Sequence, residues 1–215
     1  MDLRSISLFS ALETRELEEL GSHVHSHTYP KGTQIITEGD DPECLFFVFS
    51  GRVKVFLSND KGKELVMNIH QPGDFFGEVG VLERMPRTAS VLALDRTRLG
   101  IMSGENFERW LSGNPRTALR LVYDLAHRLR QATDHVRRLS MMDVYGRLAV
   151  TIMNLSEEEN GERVVRERIT QQKLADHIGA SREMVSRIMK DLRAGDYIDI
   201  EHGHLHIKKP LPPRW

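Results

Sequence analysis

The segment of residues 116–140, which contains neither glycine nor proline, most constrains what this chain can fold into. Small or apolar side chains recur along it at alternating spacings of three and four residues. They are Leu119, Val122, Ala126, Leu129, Thr133, Val136 and Ser140. This spacing is typical of the a and d positions of a coiled coil. Because most other positions are polar or charged, the pattern favours a helix that pairs with a second copy of itself; a helix against the core of a monomer is the alternative.

The residues before this helix have the character of many short β-strands. Between residues 24 and 101, apolar segments are separated by turn residues such as Ser50-Gly51. The segments cover residues 33–36, 45–49, 53–57, 65–69 and 89–94. Short strands at such spacing predict a sandwich or barrel, and residues 5–20 are predicted to form one short helix.

The segment 170–192 carries the strongest local motif. Thr170 is a candidate N-cap for a short helix that ends near Ile178, and Gly179 allows a sharp turn. Ser181 is a candidate cap for a second helix that ends at Ala194. Two helices joined by a short turn that contains glycine indicate a helix-turn-helix. Beyond it, a hairpin is predicted to turn at residues 202–203, whereas the acidic residues 157–161 read as a flexible connection.

The second helix of this motif has two distinct faces. One face is aliphatic, and the other is polar and mostly charged. The predicted DNA interface consists of this polar face together with the candidate caps of the two helices. Its residues are Thr170, Ser181, Arg182, Glu183, Ser186, Arg187 and Lys190. Arginine suits bidentate contact with guanine, and glutamate can accept a hydrogen bond from cytosine. A helical hairpin with a solvated charged face is the alternative.

Charge and cysteine content narrow the class of protein. The net charge of −1 divides into 12 basic and 17 acidic residues before residue 116, and 18 basic and 14 acidic residues from there on. The basic second half is consistent with a polyanionic partner. One cysteine excludes a disulfide within the chain and a four-cysteine metal site. The sequence shows no secretion signal and no apolar run long enough to span a membrane, so a cytoplasmic protein without a membrane partner is expected.

Taken together, these segments resemble the cyclic-AMP receptor protein (CRP/FNR) family of bacterial transcription regulators over nearly the whole chain. The motifs that carry the resemblance are GKE at 62–64, QPGDFFGE at 71–78, DVYGR at 143–147, ITQQ at 169–172 and SREMVSRI at 181–188. The resemblance implies an α+β fold with three parts. These are an N-terminal double-stranded β-helix (β-roll) that binds a nucleotide (1–113), a dimerisation helix (114–139) and a C-terminal winged helix-turn-helix (140–215), with a hinge at 140–143.

The resemblance also implies a cyclic nucleotide, first of all cyclic AMP, as the effector. The implied ligand-binding residues are Gly77, Glu78, Val79, Arg87, Thr88, Ala89, Arg128 and Thr133. Arg87 and Thr88 could hold the cyclic phosphate, and Glu78 could accept a hydrogen bond from the ribose. A plain surface ion pair between Glu78 and Arg87 is the alternative.

The base-binding part departs from the family pattern. Two neighbouring hydroxyl residues on the dimer helix meet the adenine in the family, and here they match Ala132 and Thr133. Ala132 has no hydrogen-bonding group, so cyclic GMP, a cyclic dinucleotide or an empty β-roll stay open as alternatives. The match at Arg182, Glu183 and Arg187 implies a homodimer that reads a palindrome of TGTGA-type half-sites in double-stranded DNA.

Two groups of alternating histidines remain. His23, His25 and His27 precede the first clear β-segment, and His202, His204 and His206 lie in the final hairpin. Solvated strand residues are favoured over a metal site, so no metal is expected. By the resemblance, the first group matches a region that contacts RNA polymerase. A cupin-like metalloenzyme is the remote rival, but it would need histidines that converge inside the barrel, whereas these lie before the first clear β-segment and in the final hairpin, and no enzymatic activity is expected.

Overall fold

The computed structural model describes residues 2–60, 62, 64–159 and 162–212. Part of the motif at 62–64 and part of the acidic segment 157–161 lie outside the described residues, as do residues 213–215. The chain forms two compact units, one of residues 1–59 and 67–130 and the other of residues 60–66 and 131–215.

The elements up to residue 113 are mostly short strands. Two 3-10 turns come first, at Leu3–Ser5 and Ser7–Phe9, and helix α1 (Thr14–Gly21) follows. The remaining elements are β1 (His25–Tyr29), β2 (Gln34–Ile36), β3 (Cys44–Ser50), β4 (Val53–Ser58), β5 (Glu64–His70), β6 (Phe75–Phe76), α2 (Glu78–Glu83), β7 (Ser90–Ala93), β8 (Thr97–Ser103) and α3 (Gly104–Gly113). The strands form two antiparallel sheets in the orders β1-β8-β3-β6 and β2-β7-β4-β5, which is the β-roll that the sequence implied.

Strand β3 explains the longest apolar run of the sequence. Successive side chains of a strand point to opposite faces. Leu45 and Phe47 pack in one hydrophobic cluster, with Phe9 and Phe107, whereas Phe46 and Val48 pack in another. A strand that is buried on both faces needs continuous rather than alternating apolar residues.

The remaining elements are mainly helical. They are α4 (Pro115–Met141), α5 (Val144–Leu155), β9 (Glu157–Glu159), β10 (Glu162–Val165), α6 (Gln171–Ile178), α7 (Arg182–Ala194), β11 (Ile198–Glu201) and β12 (His204–Ile207). The last four strands form one antiparallel sheet in the order β11-β12-β10-β9. One hydrophobic cluster joins α5, α6 and α7 to this sheet and includes Leu148, Leu174, Val185 and Leu205. No helix among the described residues is long and apolar enough to cross a membrane.

Two local expectations were wrong, and a third was confirmed. Residues 5–20 form two 3-10 turns and then α1, because Glu13 and Glu16 make a capping box that starts the helix at Thr14. The solvated strand expected at the first histidine group is observed, because residues 25–29 pair with β8 and their side chains are almost all exposed. Residues 157–159, which read as part of a flexible connection, pair with β10 as β9.

Candidate nucleotide pocket and DNA interface

The candidate nucleotide pocket begins at a tight turn after β6. Gly77 has a φ of 84° and is the N-cap of α2. A Cβ atom at this position would lie 2.9 Å from Nη1 of Arg87. Both the backbone conformation and the available space therefore require glycine. Between this turn and Arg87 the chain forms the short helix α2 and then residues 84–86.

Arg87 is the buried cation of this region. Its side chain is only 7% exposed. Nη1 donates to the carbonyl oxygen of Gly77 over 2.8 Å, and Nη2 donates to the carbonyl oxygen of Cys44 over 2.5 Å. Within the described chain, no carboxylate forms an ion pair with this guanidinium. A cation that is held in place by neutral main-chain oxygens keeps its charge available for an anionic ligand.

Glu78 is also buried, with 2% exposure, and its partner is not Arg87. Its Oε1 accepts a hydrogen bond from Nη1 of Arg128 over 3.0 Å. Nη2 of Arg128 donates to the carbonyl oxygen of Phe75 over 2.9 Å, and the guanidinium carbon lies 4.5 Å from the centre of the Phe75 ring. The surface ion pair between Glu78 and Arg87 is therefore not what forms. Instead, helix α4 supplies the cation for Glu78.

The other sequence-predicted pocket residues lie at the two ends of the α2 segment and along α4. Val79 is in the first turn of α2, and Thr88 and Ala89 follow Arg87 directly. Thr88 is exposed, whereas Val79 and Ala89 are half-buried. Ala132 and Thr133 lie further along α4 and are both exposed.

Sequence reasoning missed three residues that shape the electrostatics of this region. Cys44 supplies a carbonyl oxygen to Arg87, and burial raises the pKa of its thiol, although the nearby guanidinium opposes this. His70 is buried, and its Nδ1 lies 3.6 Å from Oδ2 of Asp74. Burial alone would raise the pKa of Asp74, but hydrogen bonds from His70 and from the Gln71 backbone hold it below its ordinary value. A main-chain carbonyl contact carries no side-chain signature, so the role of Cys44 could not be read from the sequence.

The coiled-coil seam on α4 is solvent-exposed in the single chain. All seven seam positions are exposed, including Leu129 at 69% and Val136 at 64%. The face of α4 that packs within its own chain instead contains the buried Thr117 and Leu121. The alternative of a seam that packs into the core of a monomer is therefore wrong.

The helix-turn-helix has the caps that the sequence predicted. Thr170 Oγ1 accepts from the backbone N–H of Lys173 over 3.1 Å, and Ser181 Oγ accepts from that of Met184 over 3.3 Å. Gly179 has a φ of 65° and ends α6 in the left-handed region. These contacts fix the starts of α6 and α7 and the angle between them.

The polar face of α7 is open to solvent. Arg182, Glu183, Arg187 and Lys190 are exposed, and Ser186 is half-buried. In the part of the chain that the structure describes, none of the four charged side chains makes a hydrogen bond or an ion pair. The opposite face of α7, with Val185, Ile188, Met189 and Leu192, is buried in the core.

The histidines form no metal site in the described chain. No group of three or more histidine, cysteine, aspartate or glutamate side chains there could hold a metal ion. His25 and His27 are exposed on β1, and His204 and His206 are half-buried on β12. His206 Nδ1 lies 3.7 Å from Oε2 of Glu162.

Comparison with known proteins identifies one domain in each half of the chain. Residues 26–114 match the cyclic nucleotide-binding domain, and residues 146–210 match the Crp-like helix-turn-helix domain. The cAMP-activated global transcriptional regulator CRP of Salmonella typhimurium is 33% identical over 194 residues, which cover 87% of this chain and 90% of that protein. The CRP-like cAMP-activated global transcriptional regulator of Mycobacterium tuberculosis is 28% identical, with 93% and 91% covered.

Solved structures give the same result. The c-di-GMP responsive global regulator CLP of Xanthomonas campestris superposes with a TM-score of 0.80 at 27% identity, over 92% of this chain and all of that one. The catabolite activator protein of Thermus thermophilus is 28% identical over 94% of this chain and 93% of that one, with a TM-score of 0.57. The chain thus belongs to the cyclic-AMP receptor protein (CRP/FNR) family and is a cyclic-nucleotide-responsive, DNA-binding transcription regulator.

Proposed function

We propose that this protein is a homodimer that binds cyclic AMP in its β-roll and, in response, binds a palindrome of TGTGA-type half-sites. The buried arrangement of Arg87 and Glu78 around the Gly77 turn carries the proposal. In it, residues 1–113 bind the nucleotide, the helix 114–139 dimerises and residues 140–215 bind DNA.

The pocket residues match the chemistry of a cyclic nucleotide. The two carbonyl contacts of Arg87 fix the plane of its guanidinium, whose remaining N–H groups can donate to a cyclic phosphate. The exposed Thr88 adds a hydroxyl donor, and Gly77, Val79 and Ala89 allow a close approach to the backbone. Glu78 uses one carboxylate oxygen for Arg128 and can accept a ribose hydroxyl with the other.

The exposed seam on α4 supports the homodimer. A regular stripe of apolar side chains along a helix is normally covered by a partner, since its exposure costs about 25 cal/mol for each Å² of apolar surface. Thr133 lies on this seam, so in a parallel pair of helices it faces the partner and can reach a ligand that is bound near the interface.

The open polar face of α7 supports sequence-specific DNA binding. Side chains at the start of the second helix of such a motif reach base edges in the major groove. Arg182 and Arg187 suit guanine, and Glu183 suits cytosine, as a TGTGA half-site requires on its two strands. Lys190 lies further along α7 and is suited to a phosphate contact.

Coupling between the two sites requires that the ligand bind the DNA-competent state more tightly than the other state. Arg128 connects the ligand side to α4, and the residues that follow α4, 140–143, lead into α5. A shift of the two α4 helices in the dimer would therefore move the two α7 helices. Operator binding requires them to be one turn of DNA apart.

The first test is the binding of purified protein to a labelled TGTGA/TCACA palindrome at fixed salt, with and without cyclic AMP. We expect affinity for the palindrome to rise by at least about tenfold with ligand, while affinity for a scrambled duplex changes little. Tight specific binding with no gain would contradict the cyclic AMP response but keep the DNA assignment. No specific binding in either state would contradict the half-site.

A cyclic dinucleotide or cyclic GMP is the second candidate ligand. Ala132 removes one of the two hydroxyls expected at the adenine, and the structurally similar CLP protein is c-di-GMP responsive. The same assay with cyclic GMP and with c-di-GMP distinguishes the candidates. An Ala132→Thr variant is the matched control, because a restored hydroxyl should raise the response to cyclic AMP alone.

We further propose that the exposed His25 and His27 on β1 face RNA polymerase, as the family resemblance implies. A His25→Ala/His27→Ala double variant should bind the operator normally but activate transcription less in a purified system. Full activation by this variant would contradict the contact.

A further inference from the structure

Four basic side chains interact electrostatically near the end of α4, where it lies against α6. His135 and Arg138 come from α4, Arg147 comes from α5 and His177 comes from α6. The other three all act electrostatically on His135. All four residues lie in the unit that contains residues 131–215, and the proposed function uses none of them.

The surroundings of His135 suit a neutral imidazole. Its Nε2 is buried and has no hydrogen-bond partner among the described residues. A neutral ring can leave one nitrogen as an unused acceptor, but a protonated ring has two N–H donors and a charge that both need partners. Because the buried Nε2 has no acceptor nearby, the protonated form of the His135 ring is disfavoured.

The charged groups that face His135 have the same effect. Arg138 on its own helix, Arg147 on α5 and His177 on α6 are all basic, and no carboxylate of the described chain is among the groups that act on it. Burial first, and then these positive charges, hold the pKa of His135 below its ordinary value.

This cluster is connected to the helix-turn-helix by direct contacts. Nε of Arg147 donates to the carbonyl oxygen of Ile178, the last residue of α6, over 2.9 Å. Nη1 of the same guanidinium donates to the carbonyl oxygen of Met142, between α4 and α5, over 2.8 Å. A Cβ atom on Gly179 would lie 3.3 Å from Cδ2 of Leu139, so the end of α4 lies against the turn between α6 and α7.

We propose that His135 is a pH-sensitive switch at this junction, whose protonation loosens the packing of the end of α4 against α5 and α6. The packed state holds the proton less tightly than an open state, in which the imidazole is hydrated. The packed state is therefore fully stable above the ordinary histidine pKa of about 6.5 and loses stability as the pH falls below it. One proton can change the opening equilibrium by at most about tenfold per pH unit.

Hydrogen exchange of the full-length protein at about pH 8 and about pH 6 tests this switch. After correction for intrinsic exchange rates, protection of residues 171–179 in the wild type should fall by at least about threefold on acidification. His135→Gln, which stays neutral, should show no such fall. His25→Gln, a change of an exposed histidine on β1, should behave like the wild type. An equal fall in wild type and His135→Gln would overturn the proposal.

A second measurement avoids the risk that the variant packs differently. The Cε1–H resonance of His135 in the wild-type protein can be followed by NMR as the pH is lowered. We expect its midpoint to lie below the ordinary histidine pKa of about 6.5. A His135 midpoint at or above that ordinary value would also overturn the switch.

The consequence for regulation rests on the proposed DNA binding, because α6 and α7 carry the candidate interface. Relative to the wild type, His135→Gln should bind the operator equally well at about pH 8 and more tightly at about pH 6, by at most about fourfold. An unchanged ratio would refute this consequence. A protein that binds no operator at either pH would instead contradict the proposed function, and hydrogen exchange would then decide the switch alone.

Discussion

At the scale of single residues, the two buried charges of the β-roll have different surroundings. Glu78 is neutralised by Arg128, whereas Arg87 is held by main-chain carbonyl oxygens and has no carboxylate partner among the described residues. A buried cation without a counter-ion costs stability. A buried charge that has no counter-ion is a candidate for function, because a bound ligand can supply the opposite charge. We therefore expect Arg87, rather than Glu78, to dominate the affinity of the proposed site for an anionic ligand.

We predict that Arg87→Gln weakens cyclic nucleotide binding by at least about tenfold, because a hydrogen bond to a charged group contributes about 1.5–3 kcal/mol. Glutamine can still donate to a carbonyl oxygen, so the turn should persist. Isothermal titration calorimetry measures the affinity, and sedimentation confirms the assembly state. Arg84→Gln is the matched control, because Arg84 is exposed and pairs with the surface residue Glu108. Equal affinities of Arg87→Gln and the wild type would place the phosphate site elsewhere.

A second residue-scale prediction separates base reading from phosphate contact on α7. Arg187→Ala should remove the preference for the palindrome and cost about 1–3 kcal/mol for the specific site, while weak salt-sensitive binding persists. Lys190→Ala should weaken specific and scrambled duplexes alike and reduce the salt dependence by about one counter-ion. Competition between the two duplexes over a salt series measures both effects. If Arg187→Ala keeps its preference, the base-reading assignment fails.

At the scale of elements, the helix-turn-helix has two capping contacts, one at the start of each of its helices. Ser181 starts α7 with one hydrogen bond to the backbone N–H of Met184. We predict that Ser181→Ala lowers the free energy of unfolding of this region by about 1 kcal/mol, because an N–H of the first turn loses its acceptor. Urea denaturation followed by circular dichroism measures the loss. Ser181→Asp, which restores an acceptor, should recover most of it, and equal stabilities of all three proteins would rule out a capping role.

The elements that were predicted well are those whose signals are local. The caps at Thr170 and Ser181 and the turn at Gly179 can be recognised from a few neighbouring residues. The same holds for the heptad spacing of α4. Strand β1 has no apolar pattern that fixes its bounds, because its side chains are exposed and only its pairing with β8 defines it. In the same way, the partner of Glu78 lies 50 residues away in sequence. Neither a burial pattern nor a motif carries such a contact, which arises only once the chain is folded.

The seam on α4 gives an element-scale prediction of assembly. Leu129→Asp should dissociate the dimer, because a carboxylate on each helix would meet its symmetry mate in an apolar interface. Sedimentation equilibrium over a range of protein concentrations measures the shift towards monomer. His127→Asp places the same charge off the seam on the same helix and should leave the dimer intact. A Leu129→Asp protein that stays dimeric would show that the chains meet on another surface.

At the scale of the whole molecule, regulation means that binding at the nucleotide site changes the free energy of binding at the DNA site, and the reverse. If cyclic nucleotide raises operator affinity by some factor, the operator must raise nucleotide affinity by the same factor. This equality holds whatever the path between the sites, so it tests the coupling without any assumption about α4. The route of this coupling is a separate hypothesis. We propose that it runs along α4, because this one helix carries both Arg128, which pairs with Glu78, and the seam residue Thr133.

We predict that Thr133→Val reduces this coupling factor towards one while the protein stays dimeric. Valine keeps the size of the side chain and the apolar character of the seam, but it cannot donate a hydrogen bond to a ligand at the interface. The factor is measured in both directions, as nucleotide affinity with and without operator and as operator affinity with and without nucleotide. Two equal factors that both fall in the variant would show that the seam hydroxyl carries the coupling. Equal factors that match the wild type would leave the two sites coupled, but through contacts other than Thr133.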